Sequence, residues 1–235
     1  MFKLLSTANP KIQKGTKMGY LSFILHLAPA DLSGKEVCPK RTAGCTAACL
    51  NTAGRGGMFK RGENTNMIQK ARIRKIEYFF NDRAGFMADL VADIAKAIKF
   101  AEKQGLIPVF RLNGTSDLSW EKYEAAYGKN IFELFDNVQF YDYTKVLGRK
   151  VKQYANYHLT FSAADGNDSD VAEALLQGMN VTVVYDQIPA GVFSADDTDL
   201  RFLDPAVGVI GLKAKGKAKK DTTGFVKRTI MMAVA

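Results

Sequence analysis

Short apolar runs alternate along this chain with longer stretches in which apolar residues recur every three to four positions. Residues 20–27 form an apolar run broken only by Ser22 and His26, which predicts a first strand. Phe86, Leu90, Ile94, Ala97 and Ile98 fall at helical spacing, so residues 83–104 read as a helix and residues 66–80 as the one before it. Residues 107–112 predict a second strand, with Pro108 tolerated near its start. A helix is expected over 119–128 and a shorter one over 131–135. A third strand follows at 138–141, then a basic helix at 146–154 and a fourth strand at 157–161. Asp168 or Ser169 can N-cap the next helix, and Gly178 can end it. Residues 181–185 and 207–212 supply the fifth and sixth strands. Residues 187–205 read as irregular, and 225–235 as either helix or strand.

Strands separated by long helical connections are the pattern of parallel α/β architecture. Six of them fit an open Rossmann-like sheet or a partial or complete (βα) TIM-like barrel, in one domain over residues 1–235. The polar residues choose between these. Nearly every predicted strand runs apolar and then turns polar: the cysteine loop, Asn113–Asp117, Asp142 to Lys145, Ser162 to Asp168, Asp186, and Lys213 with Lys215. Open sheets usually bind ligands at one switch point, whereas barrels collect functional groups from all strand ends. No GxGxxG follows the first strand. The barrel is therefore the expected fold.

All 3 cysteines of the chain, Cys38, Cys45 and Cys49, lie in one loop spaced C-x6-C-x3-C. Clustered thiolates favour zinc, copper(I) or an iron–sulfur cluster, and three leave one coordination position open. Zinc would need a fourth ligand, for which His26 and His158, the 2 histidines of the chain, are the available imidazoles. An odd cysteine count without a signal peptide suggests a reducing cytoplasm rather than disulfides. No apolar run reaches the ~18 residues of a membrane helix, so no membrane partner is expected.

Net charge is +9, and five lysines fall within residues 213–220. Arg55, Lys60, Arg61, Lys70, Arg72, Arg74 and Lys75 make a second basic region. Both suit an anionic small molecule or a nucleic acid, and both also suit a solvated surface. Asn51–Gly57 permits backbone approach to a ligand, with Arg55 available to an anion, or serves as a flexible link. Arg111 interrupts an apolar strand and needs a carboxylate if buried, with Asp117 or Asp142 nearest in the implied layer of strand ends. Asp117, Asp142 and Lys145 are the candidates for acid–base work.

A three-cysteine loop directly after the first strand of a six-stranded (βα) barrel resembles the radical S-adenosylmethionine (SAM) enzymes. That resemblance implies that Cys38, Cys45 and Cys49 hold a [4Fe-4S] cluster whose fourth iron takes the amino and carboxylate groups of SAM. It implies that Asn113, Gly114, Thr115, Ser116 and Asp117 contact the SAM amino end, with Asp117 as the carboxylate. It implies that Ser162, Asp165 and Asn167 contact the nucleoside, with Lys213 close to any bound anion. The family's usual spacing is C-x3-C-x2-C with an aromatic before the last cysteine, where this chain has longer gaps and Ala48. The Leu5–Pro10 start, Gly44-Cys45, Cys49 to Gly56, Arg111–Asp117 and Gly211–Gly216 also resemble an uncharacterised family of phage and prophage proteins.

Two other readings fit the same residues. A zinc barrel acting on nucleic-acid bases, similar to guanine transglycosylases, would use Asp117 or Asp142 as catalytic carboxylates. Its zinc loop comes late in the barrel, whereas this one comes early. A non-enzymatic nucleic-acid-binding protein with a structural metal would use the basic regions alone.

Overall fold

Six long strands run parallel and lie side by side in the order in which the chain makes them. They are β2 (Tyr20–Leu25), β3 (Ile107–Arg111), β6 (Gln139–Thr144), β7 (Tyr157–Ser162), β8 (Val181–Tyr185) and β10 (Val209–Lys213). The structure is a computed structural model, and it describes residues 3–7, 14–60, 63–206 and 208–229. The tail beyond residue 229, Arg61 and Val207 lie outside the described residues.

Short strands extend the sheet to nine. β1 (Leu5–Ser6) pairs antiparallel with β2, and β9 (Phe193–Ser194) flanks β10. β7 pairs with β8 only at Phe161↔Val181 and Ser162↔Thr182. Further along the same edge of β8, β11 (Val226–Lys227) takes over at Val184 and Tyr185. The last described strand is thus wedged where β7 and β8 part. The hydrogen-bonded path runs from β1 to β9 without closing among the described residues.

Strictly sequential order has no switch point. Right-handed crossovers then put the long crossover α-helices on one face. Helices α3 (Met67–Asn81) and α4 (Arg83–Glu102) fill the β2–β3 crossover, and α6 (Asp168–Leu176) fills the β7–β8 crossover. Ile76, Phe79, Phe86, Leu90 and Ile94 from α3 and α4 join Leu21, Phe23, Phe110 and Phe140 in the main core. Alternate residues face the other way. There Val109 and Tyr141 pack on Leu200, with Tyr20 and Phe202 beside them. The irregular segment between β9 and β10 therefore lines the helix-free face. Its Asp199 pairs with Arg111 at 2.9 Å, so neither Asp117 nor Asp142 is that partner.

Two expected helices are absent. After the short turn Trp120–Lys122, residues 123–130 form a hairpin of β4 (Glu124–Ala126) and β5 (Lys129–Asn130). Tyr127 and Gly128 both have positive φ, 54° and 71°, the condition for a tight two-residue hairpin turn. The basic stretch 146–154 is a series of turns, with Gly148 at φ 69°. Gly178 does follow α6 with φ 77°, donating to Leu175 O at 3.0 Å. The α6 N-cap is Asn167, whose side chain is committed elsewhere.

Candidate functional site at the cysteine loop

The loop that follows β2 is stapled to the loop at the end of β3. Gly114 N donates to Leu25 O at 2.9 Å, Thr115 Oγ1 to Leu27 O at 2.7 Å, and Asp117 N to Val37 O at 2.7 Å. A Cβ on Gly114 would stand 2.7 Å from Leu25 O and 2.6 Å from Ile24 Cγ2, so only glycine allows this approach. The short helix α2 (Ala43–Ala47) carries Cys45 and is capped by Thr42, whose hydroxyl accepts from Cys45 N at 3.1 Å.

Asp165, from the end of β7, holds this helix from outside. Its carboxylate accepts from the Thr42 hydroxyl and from Gly44 N at 2.9 Å. Burial works against its charge, but these bonds win and hold its pKa below the ordinary carboxylate value. Ala48 packs with Val184, Ala214, Ala218, Phe225 and Val226, which brings the β8, β10 and β11 ends against the loop.

The three thiols lie in one neighbourhood: Cys38 feels the charge of both other sulfurs, and Cys49 feels that of Cys45. Burial, then Asp117 and the neighbouring cysteines, push the Cys38 thiol up to about 12, with Lys145 opposing. Burial also raises Cys49, against a 3.5 Å contact from Asn51 N. Without a cation Cys38 and Cys49 are thiols. Deprotonating them together needs a positive centre between them.

Asp117 stands next to this group. Oδ2 accepts from Lys145 N at 2.8 Å. Oδ1 is buried without a hydrogen-bond donor, and Arg149 Nη1 lies 3.7 Å away, too far to supply one. Burial raises the Asp117 pKa, with the Lys145 amide, Thr144 and Arg149 opposing.

The other expected residues are placed less uniformly. Asn113 is a structural hub: Oδ1 accepts from Ser116 Oγ, Leu118 N and Trp120 Nε1, and Nδ2 donates to Leu118 O. The hydroxyls of Thr115 and Ser116 are thereby spent on the fold. Asn167 likewise ties the turn after β7, accepting from Ala164 N and donating to Ser162 O. Lys213 is exposed at the end of β10, its amide on Asp196. His26 is kept neutral, its pKa lowered to about 3 by burial and by Arg72, Arg111 and Lys75. Among the described residues no group of three or more His, Cys, Asp or Glu side chains could hold a metal ion as it stands. A hollow of about 560 Å³ flanks α2 between Glu36, Arg41 and Thr46, and no cysteine lines it.

Asp142 is not at the rim. It lies inside β6, fully buried, on the face turned to the helices. It accepts from Asn113 N at 2.8 Å and from Tyr157 OH at 3.2 Å. Burial lifts its pKa from 3.8 to about 7, although Arg111, the Asn113 amide and Arg149 pull it down. A carboxyl whose folded pKa is raised stabilises the fold most below its unfolded pKa. That contribution is lost as pH rises through the folded value. Asp142→Asn removes this dependence. The stability advantage of the wild type over the variant should therefore shrink between pH 4 and pH 7, read from urea midpoints across that window. A difference that stays flat would show that Asp142 does not titrate there.

One charged group beside this site carries no local sequence signal. Arg149 is drawn inward from the turn after β6, its side chain 3% exposed. Its Nε donates to Glu121 Oε1 at 3.0 Å and its Nη2 to Tyr157 OH at 3.1 Å.

No curated protein and no solved structure matches this chain. No helix among the described residues is long and apolar enough to cross a membrane. A family model described as Gene product 88 matches residues 3–229, a span that includes all six parallel strands and the cysteine loop, and the chain belongs to that family.

Proposed function

We propose that this chain is a divergent radical-SAM-type enzyme, with a [4Fe-4S] cluster on Cys38, Cys45 and Cys49. The observation that carries the reading is the grouping of three half-buried thiols in the loop after the first parallel strand, near a buried carboxylate oxygen that lacks a donor. When bound, the reduced cluster supplies the electron that cleaves SAM and starts hydrogen abstraction from the substrate.

Three cysteines in one loop suit a cluster, whose remaining iron is left for a further group. A cluster takes its thiolates at the corners of a larger body. Asp117 Oδ1 would accept from the SAM amino group, which would give that oxygen the donor it lacks. Ser162 is the remaining nucleoside candidate, because Asp165 and Asn167 are committed to the loop and the turn. The sequential parallel order, with every strand end on one rim, supports the same reading. The protein's part is binding and orientation, and the difficult chemistry is the cofactor's.

Anaerobic reconstitution with iron and sulfide should give a brown protein absorbing near ~400 nm, as thiolate-ligated clusters do. Cys38→Ser, Cys45→Ser and Cys49→Ser should each lose that band. A colourless protein holding one tight zinc ion would overturn the proposal.

A further inference from the structure

Two basic regions far apart in sequence meet at the cysteine loop. The turn Gly216–Lys220, which carries Lys217, Lys219 and Lys220, packs against the turn Leu50–Thr52 that follows Cys49. A Cβ on Gly216 would lie 3.9 Å from Ala53 Cβ. The next turn, Gly54–Gly57, carries Arg55 and is held against the start of α3. There Asn66 Nδ2 donates to Arg55 O, Gly56 O and Met58 O, and Gln69 Nε2 to Gly56 O. Arg72 Nη1 donates to Asn51 Oδ1 at 2.7 Å. The glycine-rich stretch is therefore a fixed bridge rather than a loose link.

Along this bridge Arg55, Lys60, Lys70, Lys217, Lys219 and Lys220 are all exposed. None of the six has an ion pair among the described residues, whereas Arg41 is paired with Glu36 and Lys215 with Asp196. Exposed apolar side chains lie between the cations: Leu50 at 54%, Met58 at 70% and Phe59 at 42%. Cations in series track a phosphate backbone, and an exposed aromatic ring between them offers a face for a base. A duplex hides its base faces. A membrane-surface segment would present its apolar residues along one helix, and these sit on turns.

We propose that this rim binds single-stranded nucleic acid across the cysteine loop. The binding itself rests on the surface alone. Its use to present a nucleotide as substrate rests on the radical-SAM reading.

The test is fluorescence anisotropy of a labelled, mixed-sequence single-stranded oligonucleotide, using the reduced protein with no metal added. Binding should weaken steeply with salt. Arg55→Glu with Lys60→Glu, and separately Lys217→Glu with Lys219→Glu and Lys220→Glu, should each weaken it. Each should also flatten the plot of log affinity against log salt by about 0.7 per lost phosphate contact. Phe59→Ala should cost about tenfold in affinity with the slope unchanged. Lys99→Glu with Lys103→Glu, at the C-terminal end of α4, should change neither. The proposal is overturned if the wild type does not bind. It is equally overturned if both rim variants behave like that control, or if anionic vesicles are bound and the oligonucleotide is not. Because no cluster is needed, failure here leaves the cysteine reading standing, and a missing chromophore would leave the binding result standing.

Discussion

Arg149→Ala is expected to lower folding stability by about 3–5 kcal/mol, the usual cost of removing one partner from a buried ion pair. The guanidinium has 3% exposure and meets Glu121, whose side chain is 5% exposed, through two of its nitrogens. Asp117 stands 3.7 Å away on the other side. Without the cation both carboxylates stay buried and uncompensated, in a region where desolvation already raises the Asp117 pKa. Urea denaturation reads the loss directly. Adding Glu121→Gln to Arg149→Ala should recover part of it, because the second change removes one stranded charge. A loss below about 1 kcal/mol would place this pair with weak surface bridges and remove Arg149 as the anchor of the 146–154 turns.

Gly44→Ala should also destabilise, and its sign is the informative part. Within a helix this exchange normally helps by about 1 kcal/mol. Here the added Cβ would stand 2.0 Å from Thr223 Oγ1, 2.6 Å from Asp165 Oδ1 and 2.8 Å from Phe225 Cβ. Backbone and side chain must both move, at a typical overpacking cost of about 1–3 kcal/mol. The clash falls on the two things that hold the cysteine helix, the Asp165 carboxylate and the segment leading into β11. Alkylation of Cys45 should therefore speed up along with the loss of stability. Ala43→Val, at the exposed neighbour on the same helix, should leave the alkylation rate unchanged. A more stable Gly44→Ala protein with unchanged thiol reactivity would refute the close packing.

Much of this architecture is legible in the sequence, because its long elements are strongly patterned. The Phe86–Leu90–Ile94–Ala97 stripe marks α4 because all four residues enter the core. The strands read correctly because buried parallel strands are nearly continuous apolar runs. The position of the cysteines after the first parallel strand follows from the same pattern. What fails to show locally is set by distant partners. Trp120 looks like the start of a helix. Its indole is fixed by Asn113 in the preceding loop, and the chain turns into a hairpin at Tyr127-Gly128. The basic stretch around Arg149 looks like a solvated helix, until Glu121 draws one cation inside. Asp142 reads as a strand-end carboxylate only if β6 stops at Tyr141. The strand continues to Thr144, which puts Asp142 mid-strand and turns it inward to the helices. Asp165 reads as a ligand contact, but the Gly44 amide and the Thr42 hydroxyl already occupy it.

The wedge of β11 between β7 and β8 has a consequence in time. Thr223 and Phe225 press on Gly44, yet the ribosome makes Gly44 long before it makes them. Synthesis runs from the N-terminal side at about 5–20 residues per second. The cysteine loop can be stapled to the first strands while Asp221–Lys227 is still unmade, and its outer side then remains uncovered. A nascent chain would in that interval expose three thiols that the finished protein half-buries. Loading of the cluster proposed for these cysteines would be easiest before the last strand slides into place.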